Sequence, residues 1–520
     1  MAENMRPSAA AELSVAASGS QIRVPGTAHM PPTAPSTVPA VAADNRWWTF
    51  AVVSLALFMG MLDNLVVTTA LPTIQRAIGA SVANLEWIVN AYTLGFAVLM
   101  IPAAALGERF GRRRVLLIGV TLFTAGSVLA ALSSGASLLI AARAIQGIGS
   151  ALIAPLTLTI LVSVFPPERR AAAIGLWSGV SGLGLAAGPL VGGAIVNGLS
   201  WNAVFWLNVP IGIVLLILGR WRIAEVRTGG RIVDPPSVLL ISAGLFGLVY
   251  GLIRGNAQGW GSAQILISLA AGALLLLLFG LRQRASASPM LDLRLFASRG
   301  FSAANLVGFL SSFAMFGSIF FITLFVQGVW GWKPLAAGLG TMPWTGTIML
   351  TAPLAGALAG RLGARRVVVA GMAAQAISLF WIGTAANAGS SYASLLPAFI
   401  LGGLGMGLSF APLSATVMTG LPMARQGEAS GAYNTVRELG GVFGIAVLGA
   451  LFQGVVRLPS QFVDGFHLAL QVAAGILVVG TAASLLLPGR AGSGRGASDR
   501  QDHVGEVAVH PIVPGQLGVE

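Results

Sequence analysis

Fourteen long apolar stretches lie between residues 48 and 487, and they decide what this chain can become. They fall at about 48–71, 86–106, 114–133, 138–161, 172–197, 203–219, 236–253, 263–281, 301–327, 335–360, 367–386, 392–415, 429–454 and 466–487. A helix needs ~20 apolar residues to cross the hydrocarbon of a bilayer. Backbone in lipid must also satisfy its own hydrogen bonds, which leaves helices or closed barrels. The stretches are continuous, not alternating, so they read as helices and not as barrel strands. The expected fold is an all-α polytopic membrane protein with fourteen transmembrane helices. With 55% apolar and 9% charged residues, the chain cannot supply the polar skin of a soluble enzyme.

The few charges are ordered. With the N-terminus inside, eighteen arginines fall in the loops on that side, among them Arg109, Arg112, Arg113, Arg114, Arg282, Arg365 and Arg366. The opposite loops hold four basic residues: Arg76, Arg254, Lys333 and Arg457. This bias places both tails in the cytoplasm. It also assigns the net charge of +13 to a face meeting anionic lipid, so no nucleic-acid partner is needed. Residues 1–45 and 489–520 are polar and mixed, and are expected to be disordered cytoplasmic tails. With no cysteine and 4 histidines, no disulfide or metal site is expected.

The chain repeats itself. Leu106-Gly-Glu-Arg-Phe-Gly-Arg-Arg-Arg114 returns as Leu358-Ala-Gly-Arg-Leu-Gly-Ala-Arg-Arg366, pairing Gly111 with Gly363. Further on, Gly175, Trp177, Gly184 and Gly188 pair with Gly431, Tyr433, Gly440 and Gly444. Two six-helix halves follow, 46–222 and 300–488, with two extra helices in the 223–299 linker. Transporters build two rocking units around a central site from such repeats.

An ionisable group in hydrocarbon costs several kcal/mol, roughly 2.5–3.5 on insertion scales, and marks function by default. Asp63, Arg143, Arg437 and Glu438 fall inside apolar stretches; Glu86 falls at a mouth and is expected to be wet. Asp63 lies about 24 Å along its helix from Trp47, at a 1.5 Å rise per residue. Arg143 reaches a similar depth from the other side, so the two can pair. Gln146 and Gly147 share its helix face. Arg437 and Glu438 are neighbours about 100° apart around a helix, so a pair between them is not automatic. In the fifth stretch, Gly184, Gly188 and Gly192 form a flat groove, joined by Gly193, and Pro189 permits a bend. The second half has Ile445 in place of that proline, so bulk at Gly444 is expected to be milder than at Gly188.

These motifs resemble the major facilitator superfamily, and within it the 14-helix drug:proton antiporter family (EmrB/QacA type). Gly107-Glu108-Arg109-Phe-Gly111-Arg112-Arg113 resembles the signature between the second and third helices, with Ala104 for the leading Gly and Glu108 for the usual Asp. The Arg143 stretch resembles the proton-coupling signature, and Gly184 to Gly193 the antiporter signature. Leu62 to Pro72 resembles the first-helix motif, and Trp201 to Pro210 the loop between the fifth and sixth helices. The resemblance implies proton-driven export of a hydrophobic or amphiphilic drug or antibiotic, by alternating access, across the bacterial cytoplasmic membrane. It implies a monomer with no cofactor beyond the proton gradient. Asp63 matches the proton-linked acid, with Arg143 and Glu438 as further coupling candidates. Asn434, Phe313, Phe316, Phe320, Trp344 and Tyr433 are candidates for the substrate cavity. Proton-linked transport of another metabolite is the alternative; a polytopic membrane enzyme lacks its cluster of loop acids and histidines.

Overall fold

A computed structural model describes residues 43–225, 234–286, 289, 291–419 and 423–489. The tails expected at 1–45 and 489–520 therefore lie outside the described residues, except for 43–45, which already belong to the first helix, and residue 489. Fifteen α-helices and no strand occur among the described residues. They are α1 (Ala43–Ile78), α2 (Val82–Phe110), α3 (Arg112–Ala131), α4 (Ala136–Val164) and α5 (Pro167–Gly198). Then come α6 (Ala203–Trp206), α7 (Asn208–Arg222), α8 (Pro235–Gln258), α9 (Ala263–Ala285) and α10 (Arg299–Gly328). The last are α11 (Pro334–Leu362), α12 (Ala364–Ala385), α13 (Tyr392–Met418), α14 (Met423–Val455) and α15 (Phe462–Ser484).

Every apolar stretch falls on a helix, the sixth being divided at Leu207. Twelve helical segments among the described residues are long and apolar enough to cross a membrane. α5 and α11, both rich in glycine, are the long helices outside that set. The chain is thus an all-helical, multi-pass membrane protein. Arg76 and Arg254, expected in loops, lie within helices, Arg76 in the last turn of α1 and Arg254 just before the last turn of α8.

Local chemistry explains several helix ends. Ser81, Ser262 and Ser391 each accept from the backbone N–H three residues on, satisfying a donor that the first turn leaves open. Gly111 and Gly363 sit at φ 108° and 91°, where a Cβ is strained, and turn the chain from α2 into α3 and from α11 into α12. The repeat read in the sequence is thus a repeated turn.

Packing repeats as well. α1 packs on α5, and α4 on α2 and α3; likewise α10 packs on α14, and α13 on α11 and α12. A methyl group on Gly149 would sit 2.7 Å from the Gly119 carbonyl, and one on Gly405 would sit 2.5 Å from that of Gly371. The two sets are linked through α5 on α11 and α2 on α14. The α8–α9 hairpin packs on α2 and α14. It is clasped by Arg282, which donates to both oxygens of Asp234 at 2.7 and 2.8 Å, with Ser237 adding a bond at 2.5 Å. Those bonds, the arginine's first, hold the Asp234 carboxyl down to about 2.

Candidate functional site

Asp63 on α1 and Arg143 on α4 meet inside the bundle, each 1% exposed. Arg143 Nη1 donates to Asp63 Oδ2 at 2.5 Å. Asp63 Oδ1 accepts from Asn208 Nδ2 at 2.7 Å and from Gln146 Nε2 at 3.4 Å. The arginine is held in turn: Nε donates to the Ile88 carbonyl at 3.2 Å, Nη1 to Gln146 Oε1 at 3.0 Å, and its guanidinium lies 4.2 Å from the Tyr92 ring centroid. Gln146 also donates to Ser127 on α3 at 2.8 Å. Tyr92 Oη lies 2.9 Å from Ser150 Oγ and 3.2 Å from the Gly60 carbonyl, tying α2 to α4 and α1. Both carboxylate oxygens are therefore filled by donors from α4 and α7, as a buried charge requires. Asn208 was missed as a site residue. Its signal was a lone amide opening α7 in Phe-Trp-Leu-Asn-Val-Pro.

Glycines let these helices approach. A methyl on Gly147 would collide with the Tyr92 carbonyl, so α4 crosses α2 backbone to backbone. Gly184, Gly188 and Gly192 face α1: a Cβ on each would lie 3.0 Å from the Phe58 carbonyl, 2.7 Å from Leu65 Cβ and 2.9 Å from the Val66 carbonyl. Gly193 and Pro189 face α11. A Cβ on Gly193 would lie 2.6 Å from the Pro334 carbonyl, and one on Gly338 would collide with the Pro189 carbonyl. The small residues of α5 thus serve two neighbours. Gly440 and Gly444 are packed just as hard, against the carbonyls of Phe309 and Phe313. Gly444 therefore has no more room than Gly188, although Ile445 follows it where Pro189 follows Gly188.

The arginine turn is held by a residue the sequence did not nominate. Glu225 accepts from the Arg113 backbone N–H at 3.1 Å and lies 3.7 and 3.8 Å from the Arg113 and Arg114 Nε atoms. Gly111 gives α3 no side-chain cap, and the Glu225 carboxylate supplies the missing acceptor from beyond α7. Arg113 Nη1 reaches the Ile223 carbonyl and Arg112 Nη1 that of Thr159, both at 3.2 Å. Gly107 is backed by Leu156. Glu108 is half-buried, and Arg109 is exposed, with its guanidinium 5.3 Å from the Phe110 ring.

A cavity lies between α1, α5, α10, α11 and α13. Its walls include Leu65, Pro189, Ile319, Ile322, Trp344 and Phe399, with threonines between them. Of the expected cavity residues, Trp344 is among the lining. The others pack within the second half: Phe313 behind Gly444, Phe316 against Gly441, Tyr433 against Gly308, and Phe320 edge-on to Phe321 at 5.0 Å. Asn434 donates to the Ser430 carbonyl at 3.0 Å. Arg437 and Glu438 do form a direct pair, Nη2 to Oε1 at 2.8 Å, because the long arginine bends across the helix face. Glu86 is not wet. It is fully buried between α2 and α14, accepting from Gln453 Nε2 at 2.7 Å.

The links between the two sets lie toward the arginine-poor end. They are Gly193 on Pro334, Pro189 on Gly338, Glu86 with Gln453, and Gln327 donating to the Thr69 carbonyl at 2.8 Å.

Residues 53–445 match the Major Facilitator Superfamily. The chain is 36% identical over 440 residues to the tetracenomycin C resistance and export protein of Streptomyces glaucescens, covering 84% of this chain and 81% of that one. It is 36% identical over 465 residues to the cephamycin export protein CmcT of Amycolatopsis lactamdurans, covering 87% and 94%. It is 35% identical over 415 residues to the multidrug efflux pump LfrA of Mycolicibacterium smegmatis, covering 79% and 82%. Among solved structures, a D-xylose–proton symporter shares the fold at a TM-score of 0.60 and 16% identity, covering 85% of this chain and 98% of that one.

Proposed function

The chain belongs to the Major Facilitator Superfamily, a transporter family rather than an enzyme family, and we propose that it exports a hydrophobic or amphiphilic drug or antibiotic in exchange for protons. The observation that carries this reading is the Asp63–Arg143 pair, buried beside the α1–α5 contact. The names of relatives that cover most of the chain, a resistance and export protein and an efflux pump among them, support export.

A proton on Asp63 takes the place of the guanidinium as partner of Oδ2. Breaking a buried pair costs about 3–5 kcal/mol when one charge is left alone. Protonation and helix movement therefore have to occur together, and this links the gradient to the access change. Gln146 and Asn208 keep Asp63 oriented in both states. Glu438 is a second coupling candidate, neutralised in this state by Arg437. Gly184 to Gly193 let α5 slide between α1 and α11, and the turn at Gly107 to Arg113 holds the opposite end.

In this reading fourteen spans cross the bacterial cytoplasmic membrane, α5 and α11 included and α6 with α7 counted as one. Residues 46–222 and 300–488 form the halves, and the arginine-rich end with both termini is cytoplasmic. The protein acts as a monomer in the bilayer, with no cofactor beyond the proton gradient and no nucleic-acid partner. The cavity is then closed to the outside. The test is efflux and proton-gradient collapse in everted vesicles. Asp63→Asn is expected to insert normally and lose both; wild-type efflux by that variant overturns the assignment.

A further inference from the structure

The polar side chains in the walls of the cavity are threonines and one tryptophan. Five threonines line it: Thr68, Thr69, Thr323, Thr341 and Thr345. Each donates its hydroxyl proton to a carbonyl on its own helix, at 2.7, 3.4, 2.8, 2.9 and 3.4 Å. A hydroxyl has one proton and two lone pairs, so these oxygens are left as acceptors. No Asp, Glu, Lys, Arg or His is among the lining residues. Asp63, one turn below Thr68, already has its oxygens filled by Arg143, Asn208 and Gln146.

One donor is unspent. Trp344 is 4% exposed, and its Nε1–H has no partner. The far edge of its indole, Cζ3 and Cη2, is seated against Gly402, where a methyl would lie 2.5 to 2.6 Å away. That leaves the pyrrole edge, which carries the N–H, on the side away from Gly402. Phe399 stands edge-on to the indole at 6.4 Å, and both rings line the cavity. A buried N–H without an acceptor costs about 1–3 kcal/mol, which a bound oxygen relieves.

We propose that this cavity is a subsite for neutral aromatic compounds that carry a carbonyl oxygen and hydroxyl donors, with Trp344 Nε1 donating to the carbonyl and threonine oxygens accepting from the hydroxyls. The proposal rests on the export reading and narrows its substrate class. A permanent cation finds aromatic faces here but no counter-charge, and leaves the indole N–H unmet. The apolar walls of Leu65, Ile319 and Ile322 bury the ring system, and the polar groups fix its orientation, the usual division of labour in small-molecule pockets.

Equilibrium binding to the purified full chain at pH 6 tests this, with 2,6-dihydroxyanthraquinone, anthraquinone and ethidium as probes. The dihydroxy compound is expected to bind at least about tenfold more tightly than ethidium, an advantage of two or more hydrogen bonds. Trp344→Phe, which keeps the ring body, is expected to weaken both quinones about five- to tenfold and leave ethidium unchanged. Thr323→Val is expected to weaken the dihydroxy compound and spare anthraquinone. Melting temperature checks that each variant is folded, and the threonine variant stands independently should Trp344→Phe fail. Equal or tighter ethidium binding overturns the proposal, as does quinone affinity unmoved by both variants. Export is judged separately: ethidium efflux in vesicles without quinone binding sinks the subsite and leaves export standing.

Discussion

Replacing Arg143 by methionine leaves the Asp63 carboxylate buried with two amide donors and no cation. The structure sets the size of the loss. Oδ2 gives up its 2.5 Å bond, while Oδ1 keeps Asn208 at 2.7 Å and Gln146 at 3.4 Å. An uncompensated buried charge of this kind costs about 3–5 kcal/mol. Asp63→Asn is gentler. The guanidinium keeps the Ile88 carbonyl, Gln146 Oε1 and the Tyr92 ring, the last worth about 1–2 kcal/mol when desolvated. The double variant removes both charges. It is expected to be more stable than Arg143→Met alone by about 2 kcal/mol, because no buried charge is left over. Thermal unfolding of the purified proteins in one detergent reads this order, and everted vesicles read transport. All three variants are expected to lose proton-driven efflux, the double variant despite its recovered stability. That combination separates a coupling pair from a static one. Recovered efflux in the double variant would falsify the coupling role, and a double variant no more stable than Arg143→Met would refute the pairing energetics.

Further consequences follow from the same contacts. Glu225→Ala removes the acceptor at the start of α3 and two long ion pairs, about 1–3 kcal/mol together, and is expected to speed amide exchange over residues 112–116; unchanged exchange there refutes the capping role. Gly261→Cys, exposed beyond α8, is expected to label from outside, and Ser298→Cys, exposed before α10, to remain unlabelled. The reverse pattern inverts the orientation. Gly444→Ala drives a Cβ into the Phe313 carbonyl, whereas Gly188→Ala sets one 2.7 Å from Leu65 Cβ, so Gly444→Ala is expected to lower the melting temperature more, within the ~1–3 kcal/mol range of overpacking; equal shifts contradict this.

What the sequence made legible was whatever changes hydropathy. The fourteen stretches surfaced as helices because apolar runs are continuous, and Asp63 and Arg143 stood out because a charge in such a run has no cheap explanation. Of their partners, Gln146 was legible because it shares the helix face of Arg143, and Asn208 was not. Asn208 is an uncharged amide whose cost is visible only once its hydrogen bond is traced, and it comes from 145 residues away in sequence. Glu86 was misread for a related reason. Position along a helix suggests depth, but burial is set by the facing helix, and the small Gly449 and the amide of Gln453 on α14 enclose that acid. The Arg437–Glu438 pair shows the limit of helix geometry: Cα directions 100° apart do not separate two long side chains.

The contacts between the two sets suggest how closure at one end can be both tight and reversible. On one side, α5 meets α11 through Gly193, Pro189 and Gly338, residues with little or no side chain to interlock. Such surfaces fit closely yet part without rotamer changes, since small residues bring backbones together and little has to be unthreaded. On the other side, α2 meets α14 through Glu86 and Gln453, a directional bond beside Gly449. This contact registers one helix against the other, and when it parts it exposes a carboxyl to water. The proline belongs to the first arrangement alone: the Pro189 carbonyl lies against Gly338, while Ile445, its counterpart in the repeat, is buried. The repeat therefore explains how the helices stack within each half. The differences between its copies, Pro189 against Ile445 foremost, explain why the two sides of the closed end are not interchangeable.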